Sequence, residues 1–421
     1  EVWPNLGMKG SRGNGPAIDP RPLPPYNMKS ETLNSVMGFS SPIKVDIWSP
    51  SRIQSWLECP RLAWMKNHLK AQAQESQSED LDHRTRGTIL HDAEASILRY
   101  HGVPTATSPI DKPLPLNQTD FEQLWQSVLE FLKSEVSWLK RDDAIAVHRC
   151  REMLGVTPEV WRDYIEGVSE ISCGGRIGRM LLSDYSLTHA APIACEYGIG
   201  LDGKSPILLD ACNDNGQSSP FKIRGRIDRV DQIVLDPHQR EKAVADGVLS
   251  KEPVSQPMPL NSGPVPSANR LVVIRDLKTV NGPKAGEKGD RHRRGLFDEV
   301  QLSLYARSWE LAFPGDRVVG IGVTEIGEST AHYLEMDQSV SKYLQDAEIG
   351  EQTFYSQKLH RYPESESTEI NGFRALIAER LRTSNRAINA ANSGQVNSTP
   401  GRHYSYSSIR LVYPEKFGGN A

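Results

Sequence analysis

The stretch VVIRDLKTV, residues 272–280, constrains the chain more than any other. Leu271, Val272, Val273 and Ile274 follow one another with no polar residue between them. A strand that is apolar on both faces belongs in the middle of a sheet covered on both sides. Yet this strand runs directly into Asp276 and Lys278. Alternate residues of a strand share a face, so carboxylate and ammonium emerge side by side. Two readings are open. One is a salt bridge at a strand end, and the other is a metal-bound carboxylate with a charge-stabilising lysine beside it.

Size and charge narrow the possibilities. A chain of 421 residues is long enough for two or three ordinary domains, or for one domain with large insertions. The net charge is −4 and the pI is near 6.3. A protein that bound nucleic acid through its whole surface would be basic, so any such site here is a local groove, which suits an enzyme better than a coating protein. No apolar run reaches the length that crosses a bilayer. The first thirty residues hold no apolar core of a secretory signal, and the expected location is the cytoplasm. The five cysteines, Cys59, Cys150, Cys173, Cys195 and Cys212, are odd in number and form no C-x-x-C pair. A disulfide framework is not expected, and a metal site of sequence-adjacent cysteines is excluded.

Residues 1–43 are rich in Pro, Gly, Ser and Asn and read as a disordered leader, with Met28 a candidate start. A single domain is expected over 44–421, with a helical insertion at about 104–190 and a mobile loop at about 236–269. Ser49 and Ser51 are N-cap candidates for a first helix that Pro60 interrupts. A second helix, RTRGTILHDAEASILRYHG, stops at Gly102, and DFEQLWQSVLEFLKSEVSWLK is amphipathic. From PIACEYGIGL the chain turns to strands: 193–201, 221–235 and 270–278. DEVQLSLYARSWELAF is a helix, DRVVGIGVTEI and TAHYLEM are strands, and helices are expected over about 337–358 and 369–392. Helices, then strands, a helix and more strands give a mixed α/β fold.

Several segments carry candidate chemistry. GRIDRVD places Asp228 after Gly225; read alone, it is a strand with Ile227 and Val230 in the core and its charges in solvent. GTILHDAE sets His91 on a helix, where a lone histidine is more often a partly buried packing residue than a ligand. QLSLYA puts Gln301 and Tyr305 on one helical face. Glu196 in ACEYGIG is either a surface strand acid or a site carboxylate. The loop NGPKAGEKGDRHRRG, holding Lys284, Lys288, Arg291, Arg293 and Arg294, is a solvated basic loop or a set of phosphate contacts.

Taken in order, SPSRIQSWLECPRLAWMKNHL, RGTILH, GRIDRVD, IRDLKT and QLSLYA resemble the motifs of the PD-(D/E)xK nuclease superfamily, specifically its RecB- and AddB-like branch with the CRISPR-associated exonucleases. The resemblance spans about 48–310. It implies a restriction-endonuclease-like core, a mixed central β-sheet flanked by helices, with a helical insertion. It implies Mg²⁺ or Mn²⁺ held by Asp228, Asp276, His91 and the Leu277 carbonyl, with Glu196 as a further member. Lys278 would stabilise charge in attack on a phosphodiester, and Gln301 and Tyr305 would steady the site or touch the strand. Carboxylate and carbonyl oxygens suit such hard cations. Many members of that branch also hold an iron–sulfur cluster; Cys59 matches its first ligand. The other three positions are His403, Tyr406 and Val412, so no cluster is expected. The implied function is a metal-dependent deoxyribonuclease acting on single strands or DNA ends in repair, recombination or defence. The other reading is a non-catalytic DNA-binding or scaffolding subunit with the same fold. No P-loop is present, so any unwinding would fall to a separate helicase.

Overall fold

A computed structural model describes residues 45–67, 83–106, 108–134, 175–187, 189–260, 265–279, 299–327, 330–337, 340, 343, 372–394 and 396. The expected leader, the basic loop at 281–295, nearly all of the helix at 337–358 and the tail after 396 lie outside these residues. The described chain divides into two compact units. The smaller takes in residues 1–78, 210–222 and 381–421, and the larger 79–209 and 223–380.

In the smaller unit, helix α1 (Pro50–Glu58) opens on Ser49, whose hydroxyl accepts from the Arg52 amide, with proline at its first turn. It ends at Cys59, which is extended because Pro60 follows, and α2 (Pro60–Asn67) starts afresh. The Arg61 guanidinium, fully buried, donates to the Val396 carbonyl. Asn385 accepts from the Ser219 hydroxyl and donates to the Ser219 carbonyl.

The larger unit is built on five strands: β2 (Ala190–Ile199), β5 (Gly225–Ile233), β6 (Arg270–Thr279), β7 (Asp316–Ile326) and β8 (Thr330–Met336), in the order β2-β5-β6-β7-β8. (The short strands β1, β3 and β4 are Ile47–Trp48, Ile207–Leu209 and Phe221–Ile223.) β6 and β7 run parallel; the other neighbours are antiparallel. Strand β6 is the central one, as its apolar run requires, and Val272, Val273 and Ile274 are fully buried. One face of the sheet carries α3 (His83–Tyr100), α4 (Phe121–Ser134) and α5 (Gly175–Tyr185), whose Leu90, Trp125 and Met180 share a core with Leu277 and Ile326. Helix α3 stops at Gly102, which adopts φ +96°, a conformation that glycine takes without strain. Helix α7 (Gln301–Ala312) packs on β6 and β7 and is buried from Leu302 through Glu310. The last helix, α8 (Gly372–Asn392), sends Arg374 to the buried carboxylate of Glu310. This is a mixed α/β architecture with a mixed sheet flanked by helices, consistent with a restriction-endonuclease-like core.

Two expectations change. Part of the stretch 236–269, which reads as a loop from its Pro and Ser content, is helical, and the rest of its described residues form turns and irregular chain. Helix α6 (Pro237–Ala245) begins there with a capping box between Asp236 and Gln239, and Met258 and Leu260 are buried, the Met258 carbonyl accepting from Arg307. The charges of GRIDRVD do not all face solvent either: Arg229 is 1% exposed and Asp231 is fully buried. β5 lies inside the sheet with both faces covered, so its polar residues must find partners within the protein.

Candidate metal centre

Three neighbouring strands bring three acids together. In the β2–β5 ladder Cys195 pairs with Arg229 and Tyr197 with Ile227; in the β5–β6 ladder Arg229 pairs with Arg275. One step along, Glu196, Asp228 and Asp276 therefore occupy adjacent positions on β2, β5 and β6. Glu196 has φ +49°, a left-handed backbone that a non-glycine residue holds only when its surroundings enforce it. Arg226 does so in part, donating to the Glu196 carbonyl while its other amino group is held by Asp202.

Helix α3 delivers His91 to this row. Its Nδ1 lies 3.3 Å from Glu196 Oε1 and 3.7 Å from Asp228 Oδ2. Ligand atoms of His91, Glu196 and Asp228 all fall within 4.8 Å of one another, a spacing that one cation could bridge. Asp276 stands beside this group rather than within it. Its carboxylate is taken by the Lys278 ammonium, 2.8 Å from Oδ2 and 3.1 Å from Oδ1, and by the Gln301 amide at 3.3 Å. The backbone between them closes the site: the Leu277 amide donates to Asp228 Oδ2 at 3.0 Å.

The protonation pattern reports crowded negative charge. Burial and then the neighbouring Asp276 push the Asp228 carboxyl well above the usual range, against the pull of His91, the Leu277 amide and Lys278. Burial opposes charge on His91, but its hydrogen bond to Glu196 and the charges of Asp228, Glu94 and Glu196 prevail and raise it to about 9. The imidazole proton thus sits where a cation would, between two carboxylates. Burial likewise works against the Lys278 ammonium, and Asp276 outweighs it, so Lys278 keeps its charge.

Tyr305 sits on α7 one turn after Gln301. Burial, then Asp228, Asp276 and Glu196, push its phenol far up, and the Arg226 backbone amide donates to its oxygen. Gly225 makes room for it: a Cβ there would stand 2.7 Å from the Tyr305 hydroxyl. That explains why a glycine opens GRIDRVD and a tyrosine closes QLSLY.

All of the site residues named from sequence on described segments, His91, Glu196, Asp228, Asp276, Leu277, Lys278, Gln301 and Tyr305, come together at this end of the sheet. Lys284, Lys288, Arg291, Arg293 and Arg294 lie outside the described residues. Sequence reasoning passed over Arg226, and it passed over the buried ions Glu94, Asp184, Arg229, Asp231 and Arg275 just behind the site. The sequence signal for the latter is an arginine adjacent to a site acid, after Asp228 in D-R-V-D and before Asp276 in R-D.

An open cleft of about 760 Å³ leads to the site between α3 and α4. Glu196 and Arg226 line its inner end, with Arg99, Tyr100, Thr105 and Phe131 along it. Tyr100 is half exposed.

Comparison with known families matches residues 47–244 to the PD-(D/E)XK nuclease superfamily. The match includes His91, Glu196 and Asp228 and ends before Asp276 and Lys278, which join the site through the geometry of β6. No curated protein matches the chain.

Proposed function

We propose, from the match of residues 47–244 to the PD-(D/E)XK nuclease superfamily, that the protein is a metal-dependent deoxyribonuclease acting on single strands or DNA ends. The observation that carries the reading is the gathering of His91, Glu196 and Asp228 within ligand distance, with Asp276 and Lys278 directly beside them. A nitrogen and carboxylate oxygens fit Mg²⁺ or Mn²⁺, the imidazole favouring Mn²⁺, and the Leu277 carbonyl would complete the set as in the family the chain resembles. Such a cation, when bound, supplies an acidified water and neutralises charge on a phosphate.

The chain's own residues do the rest. Glu196 and Asp228 hold the cation once His91 has given up its proton. Asp276 holds the Lys278 ammonium at the rim of the site, where 39% of that side chain reaches solvent. From there Lys278 can meet the negative charge that develops on phosphate oxygen. Tyr305, kept as a neutral phenol, accepts a hydrogen bond from the Arg226 backbone amide beside the acids. A single strand entering the cleft between α3 and α4 would meet Tyr100 and Phe131 as faces for bases and Arg99 and Arg226 as charges for phosphate, beside the acids Asp92 and Glu130. The basic residues Lys284, Lys288, Arg291, Arg293 and Arg294 would add further phosphate contacts.

The test is cleavage of labelled single- and double-stranded DNA, with RNA as comparison, in Mg²⁺ and in Mn²⁺. Metal-dependent cleavage that Asp276→Ala abolishes without loss of DNA binding supports the nuclease. A wild type inactive on every substrate with either metal sinks it and leaves the non-catalytic subunit.

A further inference from the structure

One residue behind the row of acids lies a second set of charges, and it is fully enclosed. Arg229, next to Asp228, is its hub: Nη1 meets Asp184 Oδ2 at 2.6 Å and Glu94 Oε1 at 3.2 Å, while Nε meets Asp231 Oδ1 at 2.8 Å. Arg275, next to Asp276, reaches the other oxygen of Asp231 at 3.1 Å, and its second amino group reaches Thr324 and His332. His332 is neutral, because burial and then Arg275 and Arg229 push its pKa well down, and Ser183 meets its far nitrogen. Side chains of Glu94, Asp184, Arg229, Asp231 and Arg275 are all under a tenth exposed.

The arrangement has a regularity that stability alone does not demand. Three of the elements that carry site residues, β5, β6 and α3, also carry a member of the cluster close by in sequence, whereas β2 and α7 do not. Asp228 is followed by Arg229, Asp276 is preceded by Arg275, and His91 is followed by Glu94, one helical turn on. Helix α3 touches the sheet at this end through both residues of that turn, His91 to Asp228 and Glu94 to Arg229.

We propose that Glu94 is a positioning residue: by binding Arg229 it locks helix α3 to strand β5, and so sets the spacing of His91 from Asp228 for the cation. The inference rests on the metal reading above and goes beyond it by assigning a residue outside the ligand set. Buried partners that orient ligands typically change metal affinity by about 10- to 100-fold when removed.

The charge count makes the proposal testable. The cluster holds three carboxylates, Glu94, Asp184 and Asp231, against two guanidiniums. Glu94→Ala leaves two against two, so the variant carries no new unpaired buried charge and should fold. Glu94→Gln keeps an acceptor for Arg229 without the charge. Asp337→Asn alters a comparable buried pair, Arg317–Asp337, where Arg317 lies at the opposite end of the sheet strands from the site. The experiment titrates Mn²⁺ into the full-length, metal-stripped chain by isothermal calorimetry, with circular dichroism as the check on folding.

The proposal expects Glu94→Ala to weaken Mn²⁺ about 10-fold or more. Glu94→Gln and Asp337→Asn should match the wild type. Equal weakening by Glu94→Ala and Glu94→Gln would assign the effect to the field of the carboxylate and overturn the tether. So would unchanged affinity in Glu94→Ala. A wild type that binds no Mn²⁺ at all would remove the metal reading itself, a failure distinct from the other two.

Discussion

Two layers of charge lie one residue apart on the same strands, and they are treated in opposite ways. In the inner layer every carboxylate has a guanidinium within hydrogen-bond reach, as at Arg229 with Asp184 and Asp231. In the outer layer Glu196, Asp228 and Asp276 crowd together, and Asp228 has only a backbone amide and the more distant His91. The inner layer pairs each carboxylate with a guanidinium, although Arg229 Nη2 and Asp184 Oδ1 are left without a hydrogen bond. In the outer layer Asp276 has Lys278 and Glu196 has His91, but Asp228 is buried beside Asp276 without a close ion partner, which disfavours its charge and creates a place for a cation. A strand's alternation thus separates a structural face from a chemical one.

The sharpest way to break this contrast is to exchange losses. Asp228→Asn should lower cleavage by about 10³-fold or more, by removing a ligand, yet raise the melting temperature of the metal-free protein, by removing a buried charge that its surroundings disfavour. Arg229→Met should do the reverse in kind, destabilising by about 3–5 kcal/mol because three buried carboxylates lose their hub. Thermal melts of both variants decide it; equal destabilisation would erase the distinction. Lys278→Ala should reduce kcat by about 10²- to 10³-fold with metal affinity little changed, since its charge acts chiefly in the transition state. Single-turnover rates at saturating metal read this out.

A smaller effect separates the layers by pH. His91 is raised from 6.5 to about 9, so its contribution to the metal-free fold is complete below 6.5 and is lost as pH rises through 9. The loss amounts to about 3 kcal/mol at most. With metal bound the order reverses, because the imidazole must be deprotonated to ligate, and affinity should climb over the same window. Urea melts at pH 6 and pH 9.5, with and without Mn²⁺, compare the two, and His91→Gln should flatten both trends. The mildest change is Tyr305→Phe, which loses one buried hydrogen bond, about 1 kcal/mol, and should lower activity only a few-fold.

Much of this was legible in the chain. The apolar run at 271–274 placed β6 at the centre of the sheet, and the i, i+2 spacing put Asp276 and Lys278 on one side. Proline and glycine punctuation located the breaks at Pro60 and Gly102. What escaped was burial of charge. Composition makes Arg229 and Asp231 look like a solvated face, and it takes helices α3 and α5 packed over the sheet, with strands β2 and β6 on either side, to enclose them. The turn of Glu196 into a left-handed backbone has no local sequence sign, because Arg226 and the adjoining strands impose it. The helix at the start of the stretch 236–269 escaped for another reason: Pro237 starts it at N1 after the Asp236 cap instead of breaking a helix.

The central claim is that the unbalanced acids bind a cation at the end of β2, β5 and β6. The most direct measurement is Mn²⁺ binding to the metal-stripped protein at pH 8, by calorimetry in buffers of different ionisation enthalpy. The account predicts a site that releases a proton from His91 on binding and that disappears in both Glu196→Gln and Asp228→Asn, while Arg317→Met leaves it intact. Mn²⁺ binding that survives Asp228→Asn and Glu196→Gln unchanged, with no proton released, would contradict it.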